Sequence, residues 1–246
     1  MKNILFLFIA AVFGLQSCTI NSEIVYHKDA ASTSVTDIDM KQFMAEMKAM
    51  TPDSMKQKNE FGEMDKLPTE WTSLLDMQQK EGKHQTTNPD SIRIMKKIFM
   101  KMNRENNEPA GLSLKMDHFT QADHQMLKSY NKKEKLPLDQ NIFNNWDGKT
   151  LTINTENFNL KNIEETLKSK ASKDEAEKVE GMVTMFFKGI GTTLKFENKI
   201  KSITGKHDWV KQTDNYTVKI DYDLKAMYDK EAKLRNADKQ IIIVTE

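Results

Sequence analysis

The chain has 246 residues, and 37 lysines and arginines stand against 36 acidic residues, so the formal net charge is +1 and no global field draws it toward nucleic acid. At 28.5 kDa, with 38% hydrophobic and 30% charged residues, it has material for one large domain or two small ones and is too rich in core formers for disorder. A single cysteine excludes a disulfide framework and any zinc site built on several thiolates, and only Arg93, Arg104 and Arg235 offer the guanidinium fork that grips phosphate or carboxylate.

The front of the chain carries the sharpest signal. Met1-Lys2-Asn3 is a short cationic start, and residues 4–15 form an apolar run that ends in Leu15-Gln16-Ser17-Cys18. That run falls short of the roughly 20 helical residues needed to cross about 30 Å of hydrocarbon, and it has the length of a signal-peptide core. The four residues that close it resemble a bacterial lipobox, although Gln16 stands where a small or aliphatic residue is usual. The resemblance implies a lipid on the Cys18 thiol and cleavage just before it. Residues 1–17 are then a lipoprotein signal peptide, 18–22 a short lipidated tether, and 23–246 a single folded domain. Acyl chains contribute about 0.8 kcal/mol per buried CH₂, so two or three of them hold a protein on a bilayer durably. The tether has no acidic run, which favours an anchor that faces the periplasm, in the cell membrane or the outer membrane.

Along the rest of the chain, strand and helix patterns interleave. Residues 23–29 and 32–39 are β-rich and read as a hairpin turning at Ala30-Ala31. Met40, Phe43, Met44, Met47 and Met50 share one helix face, and Thr51-Pro52 ends that helix. The stretch that follows is polar and broken, and within it residues 71–75 form a short apolar patch. Asn88-Pro89-Asp90-Ser91 starts a second helix expected to run to about Asn103. Residues 112–118 alternate as a strand, Thr120 caps a helix reaching Ser129, and Trp146-Asp147-Gly148 turns the chain into a strand at 150–154. A long helix is expected over 160–188, closed by Gly189 and Gly191. Residues 192–200 and 216–224 then alternate, with Leu194, Phe196, Tyr216, Val218, Ile220 and Tyr222 expected on one core-facing surface. Residues 241–244 make a final apolar strand. The fold class expected is α+β, a mainly antiparallel sheet with helices packed on one face. The hairpin at 24–39 and the stretch 196–224, with its Ser202-Ile203-Thr204-Gly205 bend, resemble the LppM-type domain of bacterial lipoproteins. That resemblance implies a fold and a location and supplies no catalytic residues.

Four groups of residues are candidates for chemistry. Met44, Met47 and Met50 have the spacing of a thioether copper site, but Phe43 shares their stripe and 16 methionines overall favour core filling. Asp117-His118 and Asp123-His124 bring two imidazoles and two carboxylates into eight residues, enough to begin a divalent-metal site, although a strand-to-helix corner collects the same residues as caps. Arg93, Lys96, Lys97, Lys101 and Arg104 lie on the expected second helix opposite Ile92, Met95, Phe99 and Met102, a pattern that suits either an anionic membrane surface or plain scaffold. Gly189-Ile190-Gly191 lacks the third glycine and the strand-to-helix order of a phosphate loop. No hydrolase, phosphate-loop or catalytic-cysteine motif is present. The expectation is therefore a non-enzymatic envelope lipoprotein without cofactor, held to the membrane by its lipid and binding a lipid, a peptide or an envelope protein. The alternatives are a metal-dependent hydrolase-like enzyme centred on His118 and His124, or a metal-handling lipoprotein using the methionines.

Overall fold

A computed structural model of the chain describes residues 18–42, 44–45, 66–80, 82, 87–130, 145–158, 187–228 and 233–246. The signal peptide, Phe43, Met47, Met50 and most of the expected 160–188 helix lie outside the described residues. The described chain is α+β. An eight-stranded sheet has the order β3-β4-β5-β2-β1-β7-β10-β9, and a three-stranded sheet the order β6-β11-β8. The strands are β1 Cys18–Tyr26, β2 Ser32–Asp39, β3 Thr72–Ser73, β4 Ile98–Glu105, β5 Glu108–Phe119, β6 Thr150–Asn154, β7 Phe187–Phe196, β8 Ile200–Thr204, β9 Val210–Gln212, β10 Thr217–Tyr222 and β11 Gln240–Thr245. The helices are α1 Leu74–Lys80, α2 Pro89–Lys97, α3 Gln121–Tyr130 and α4 Leu224–Tyr228. The contacts gather into two compact units where the sequence suggests a single domain. The first holds the described chain up to Ile20, Thr36–Lys115 and the start of β7 to Gly189; the second holds Asn21–Val35, the described chain from Met116 to Phe158, and Ile190–Glu246.

The second unit is built on period-two alternation. β7 and β10 pair antiparallel with Leu194 opposite Val218 and Thr192 opposite Ile220. Leu194, Phe196, Val218 and Ile220 are all buried in a core completed by Ile24, Tyr26, Trp146, Leu151, Ile153, Phe158, Ile200, Ile241 and Ile243. Tyr222 packs half-buried at the edge of that core. Tyr216 departs from the expectation and is 48% exposed. It precedes β10, its amide donates to the Asp214 carboxylate at 2.7 Å, and the turn carries its ring off the core face. β7 also starts earlier than expected: Phe187 and Lys188 are already strand, and Gly189 and Gly191 sit inside it rather than ending a helix. The inward series Ile190, Thr192, Leu194, Phe196 runs past both glycines, which a strand tolerates. The expected strand at 192–200 breaks at Glu197, and Ile200 opens β8 in the other sheet while still filling the same core.

In the first unit the second helix is shorter than expected. Asn88 caps α2 by accepting the Asp90 and Ser91 amides at 2.9 and 3.2 Å, with Pro89 at its start. The helix stops at Lys97, and Ile98 begins β4. The buried residues are Ile94, Ile98 and Met102, spaced by four, a spacing that one face of a helix and one face of a strand both satisfy. The decisive feature is the turn at Asn106-Asn107, where both φ angles are positive (51° and 65°). Left-handed pairs of this kind match the twist of a two-residue hairpin, so β4 and β5 form as one unit.

The expected tether at 18–22 is also corrected, because these residues are the first five of β1. Cys18, Ile20, Ser22, Ile24 and Tyr26 all face inward, and the alternation runs unbroken through the polar Thr19 and Asn21.

Candidate functional site

The expected corner of Asp117, His118, Asp123 and His124 is divided by the fold. Asp123 is fully buried as a cap: its carboxylate accepts the Thr120 amide at 3.1 Å and its own amide donates to the Thr120 hydroxyl at 3.3 Å. His124 is buried with its ring 5.2 Å from that of Phe119. His118 faces solvent, at the end of β5, and donates from Nε2 to Asp29 at 2.8 Å. Asp117 stays half-buried on β5. Among the described residues no group of three or more histidine, cysteine, aspartate or glutamate side chains is placed to hold a metal. Of the methionine stripe, Met44 is buried as a core residue; Met47 and Met50 lie outside the described residues.

His118 belongs instead to a cluster of the second unit. His27, just after β1, donates from Nδ1 to Glu197 at 2.8 Å, and its Nε2 lies 2.9 Å from the Thr33 hydroxyl. The same hydroxyl oxygen accepts the His118 amide at 3.1 Å, and the two imidazole centres are 5.0 Å apart. His118 takes a left-handed backbone, φ 51°, so its amide turns to Thr33. With His27 neutral, Thr33 donates to Nε2 while accepting from His118; with His27 protonated, Nε2 becomes the donor and the hydroxyl oxygen accepts twice. Both carboxylates are held below their usual range. For Glu197 the main cause is the His27 hydrogen bond, followed by the Lys28 amide; for Asp29 it is the Ala31 amide, followed by His118. The cluster ties the β1–β2 turn, the end of β5 and the loop after β7 together. His118 was visible in the sequence. Nothing there announced Glu197, which reaches His27 only through the sheet.

A cavity of about 390 Å³ opens elsewhere in the second unit, lined by residues of β8, β9, β11 and the loops at 205–208 and 236. Ile203 and Val210 are the accessible apolar residues of its lining, and Lys206, Lys211 and Asp208 are the charged ones. The loops are fixed by Asp208, which accepts the Arg235 and Asn236 amides at 2.6 and 3.2 Å and the Asn236 side chain at 2.8 Å. Gly205 is required here, since its φ is +89° and a Cβ would collide with the Gln240 carbonyl. His207 beside the cavity accepts the Trp209 amide at Nδ1, and burial holds its pKa below the ordinary imidazole value. Its ring meets those of Phe158 and Trp209 edge-on at 5.2 and 4.9 Å. The cavity thus joins a small apolar part to two lysines, with the Asp208 carboxylate between its loops engaged by backbone amides.

The five expected membrane-surface cations do not share a helix. Arg93, Lys96 and Lys97 are on α2, whereas Lys101 and Arg104 are on β4. Arg93 lies 3.6 Å from Asp90 and Arg104 donates to the Asn107 carbonyl at 2.9 Å.

No protein-family model and no curated protein matches the chain. Among solved structures, the NMR structure of the folded domain of the LppM protein from Mycobacterium tuberculosis is similar over 94% of this chain and 90% of that one, at 11% identity and a TM-score of 0.36. At that score the likeness assigns this chain neither an activity nor a ligand.

Proposed function

We propose that the protein is an envelope lipoprotein, anchored through Cys18 and facing the periplasm, whose folded part binds a small amphipathic acid rather than catalysing a reaction. The cavity carries the binding half of this reading. Its volume of about 390 Å³ is in the range of small-molecule sites, its loops are fastened by hydrogen bonds to Asp208, and with that carboxylate engaged by the Arg235 and Asn236 amides the lysines Lys206 and Lys211 are the cations of its lining. The lipobox supports the anchoring half, since Leu15-Gln16-Ser17-Cys18 closes an apolar run of signal-peptide length. An acid seated with its tail on Ile203 and Val210 places its carboxylate or phosphate near Lys206 or Lys211.

Native mass spectrometry of the protein purified from its own envelope tests both halves at once. The expected spectrum shows residues 18–246 bearing acyl chains, together with a co-purifying acid that is lost in Lys211→Glu. A spectrum without any bound small molecule contradicts the binding half.

A further inference from the structure

The first unit presents a surface that the cavity does not involve. Trp71, just ahead of β3, is 37% exposed, and the large hydrophobic side chains this exposed among the described residues are Trp71 and Tyr216. Lys101 Nζ lies 5.0 Å from the centre of the Trp71 ring and Lys115 Nζ 5.8 Å from it. Lys115 Nζ also stands 4.5 Å over Phe99. The arrangement is held by the sheet: Thr72 pairs with Met100 and Ser73 with Phe99, which sets Trp71 beside β4.

Surface cation–π contacts are individually weak, so they hold the lysines over the ring without burying it. An indole with lysines on it is what a bilayer interface selects: the ring settles at headgroup depth and the ammonium groups reach the phosphates. The place of the anchor points to the same occupant. Cys18 belongs to this same compact unit and is the first residue of β1, with no tether between it and the fold. Its thiol is buried in this fold, so a lipid there turns the start of β1 out of the core and holds the unit near the headgroups, where a weak patch acts at high effective concentration.

We propose that Trp71, Phe99, Lys101 and Lys115 form a bilayer-docking surface that seats the first unit on anionic headgroups. This rests on the anchored reading above. Each anionic contact by a lysine near such a surface adds to the attraction and is screened by salt.

The test uses protein purified in detergent from its own envelope and reconstituted into vesicles of phosphatidylcholine and phosphatidylglycerol with brominated acyl chains. Bromine quenches a tryptophan only at close range, and the other two tryptophans, buried Trp146 and half-buried Trp209, both in the second unit, serve as internal references. The expected result is quenching that disappears in Trp71→Phe. It should fall several-fold in Lys101→Gln/Lys115→Gln and when phosphatidylglycerol is omitted. Quenching that Trp71→Phe leaves unchanged overturns the proposal. Dimers in vesicle-free detergent solution that require Trp71 overturn it too, by giving the patch to a second copy. Intact mass on the same sample reports acylation separately. Acylated protein whose quenching Trp71→Phe leaves unchanged refutes the patch alone, whereas a sample without acyl groups refutes the anchor.

Discussion

The two units bury different chemistry. The second fills its core with branched aliphatics and large rings: Ile24, Ile153, Ile220, Ile241 and Ile243 around Tyr26, Trp146, Phe158 and Phe196. The first buries Met44, Met102, Ala110, Ser73, Thr36 and Ser113 beside Ile20, Leu75, Ile94 and Ile98. Branched side chains have few rotamers and fix a strand's face, whereas methionine adapts to irregular space and hydroxyls require partners. Ser113 illustrates the latter: fully buried, it donates to Asp37 and accepts from the Asn103 amide at 2.7 Å. The contrast is between a core built on rings and branched aliphatics and one that, among the described residues, buries no aromatic ring; buried hydroxyls serve both, as Thr155, Thr192 and Thr245 do in the second unit.

The largest effect that tests this contrast is in the second unit. Ile220→Ala removes a fully buried side chain and should cost about 2–5 kcal/mol in denaturant unfolding. Lys219→Ala, one residue away on the wet face, should change stability by about 0.5 kcal/mol or less. Equal effects would break the face assignment on which the whole core rests.

The first unit offers a sharper discrimination at smaller scale. The pattern of the amino-acid sequence places Ile92 inward, but Ile94 is the buried residue and Ile92 is only half-buried. Ile94→Ala should therefore cost about 2 kcal/mol or more and Ile92→Ala roughly 1 kcal/mol. The reverse order would show that α2 packs by its Ile92 face rather than its Ile94 face.

The legibility of the chain follows the same division. The strands around Leu194 and Ile220 were readable because strict alternation admits one period only. The β4–β5 hairpin was not, since apolar residues four apart serve helix and strand alike and the Asn106-Asn107 turn went unnoticed. β1 was read five residues short because Thr19 and Asn21 look like linker, although they are the outward half of an alternating strand. Of the candidate site, His118 and its corner were visible. His27 and Glu197 were not, because the sheet, rather than sequence proximity, brings them together. The cavity is likewise made by loops that meet only after folding.

The smallest effect concerns pH in the second unit. Glu197 has a folded pKa below its usual range, so the unfolded chain binds the proton first as pH falls. Its contribution is complete above about pH 4.3, the ordinary glutamate value, and is lost as pH drops through the lower folded value. Chemical denaturation from pH 6 to pH 3 should show this loss, with a shallower acid slope in Glu197→Gln. An unchanged slope would remove Glu197 from the account of how the β1–β2 turn is held.

The claim on which localisation and docking both depend is the lipid on Cys18. Cells grown with a radiolabelled fatty acid, carrying either the native chain or Cys18→Ser, measure it directly through label incorporation and membrane fractionation. The account predicts a labelled, membrane-bound native protein and a Cys18→Ser protein without label. A Cys18→Ser chain that still takes up label to the native level would contradict it.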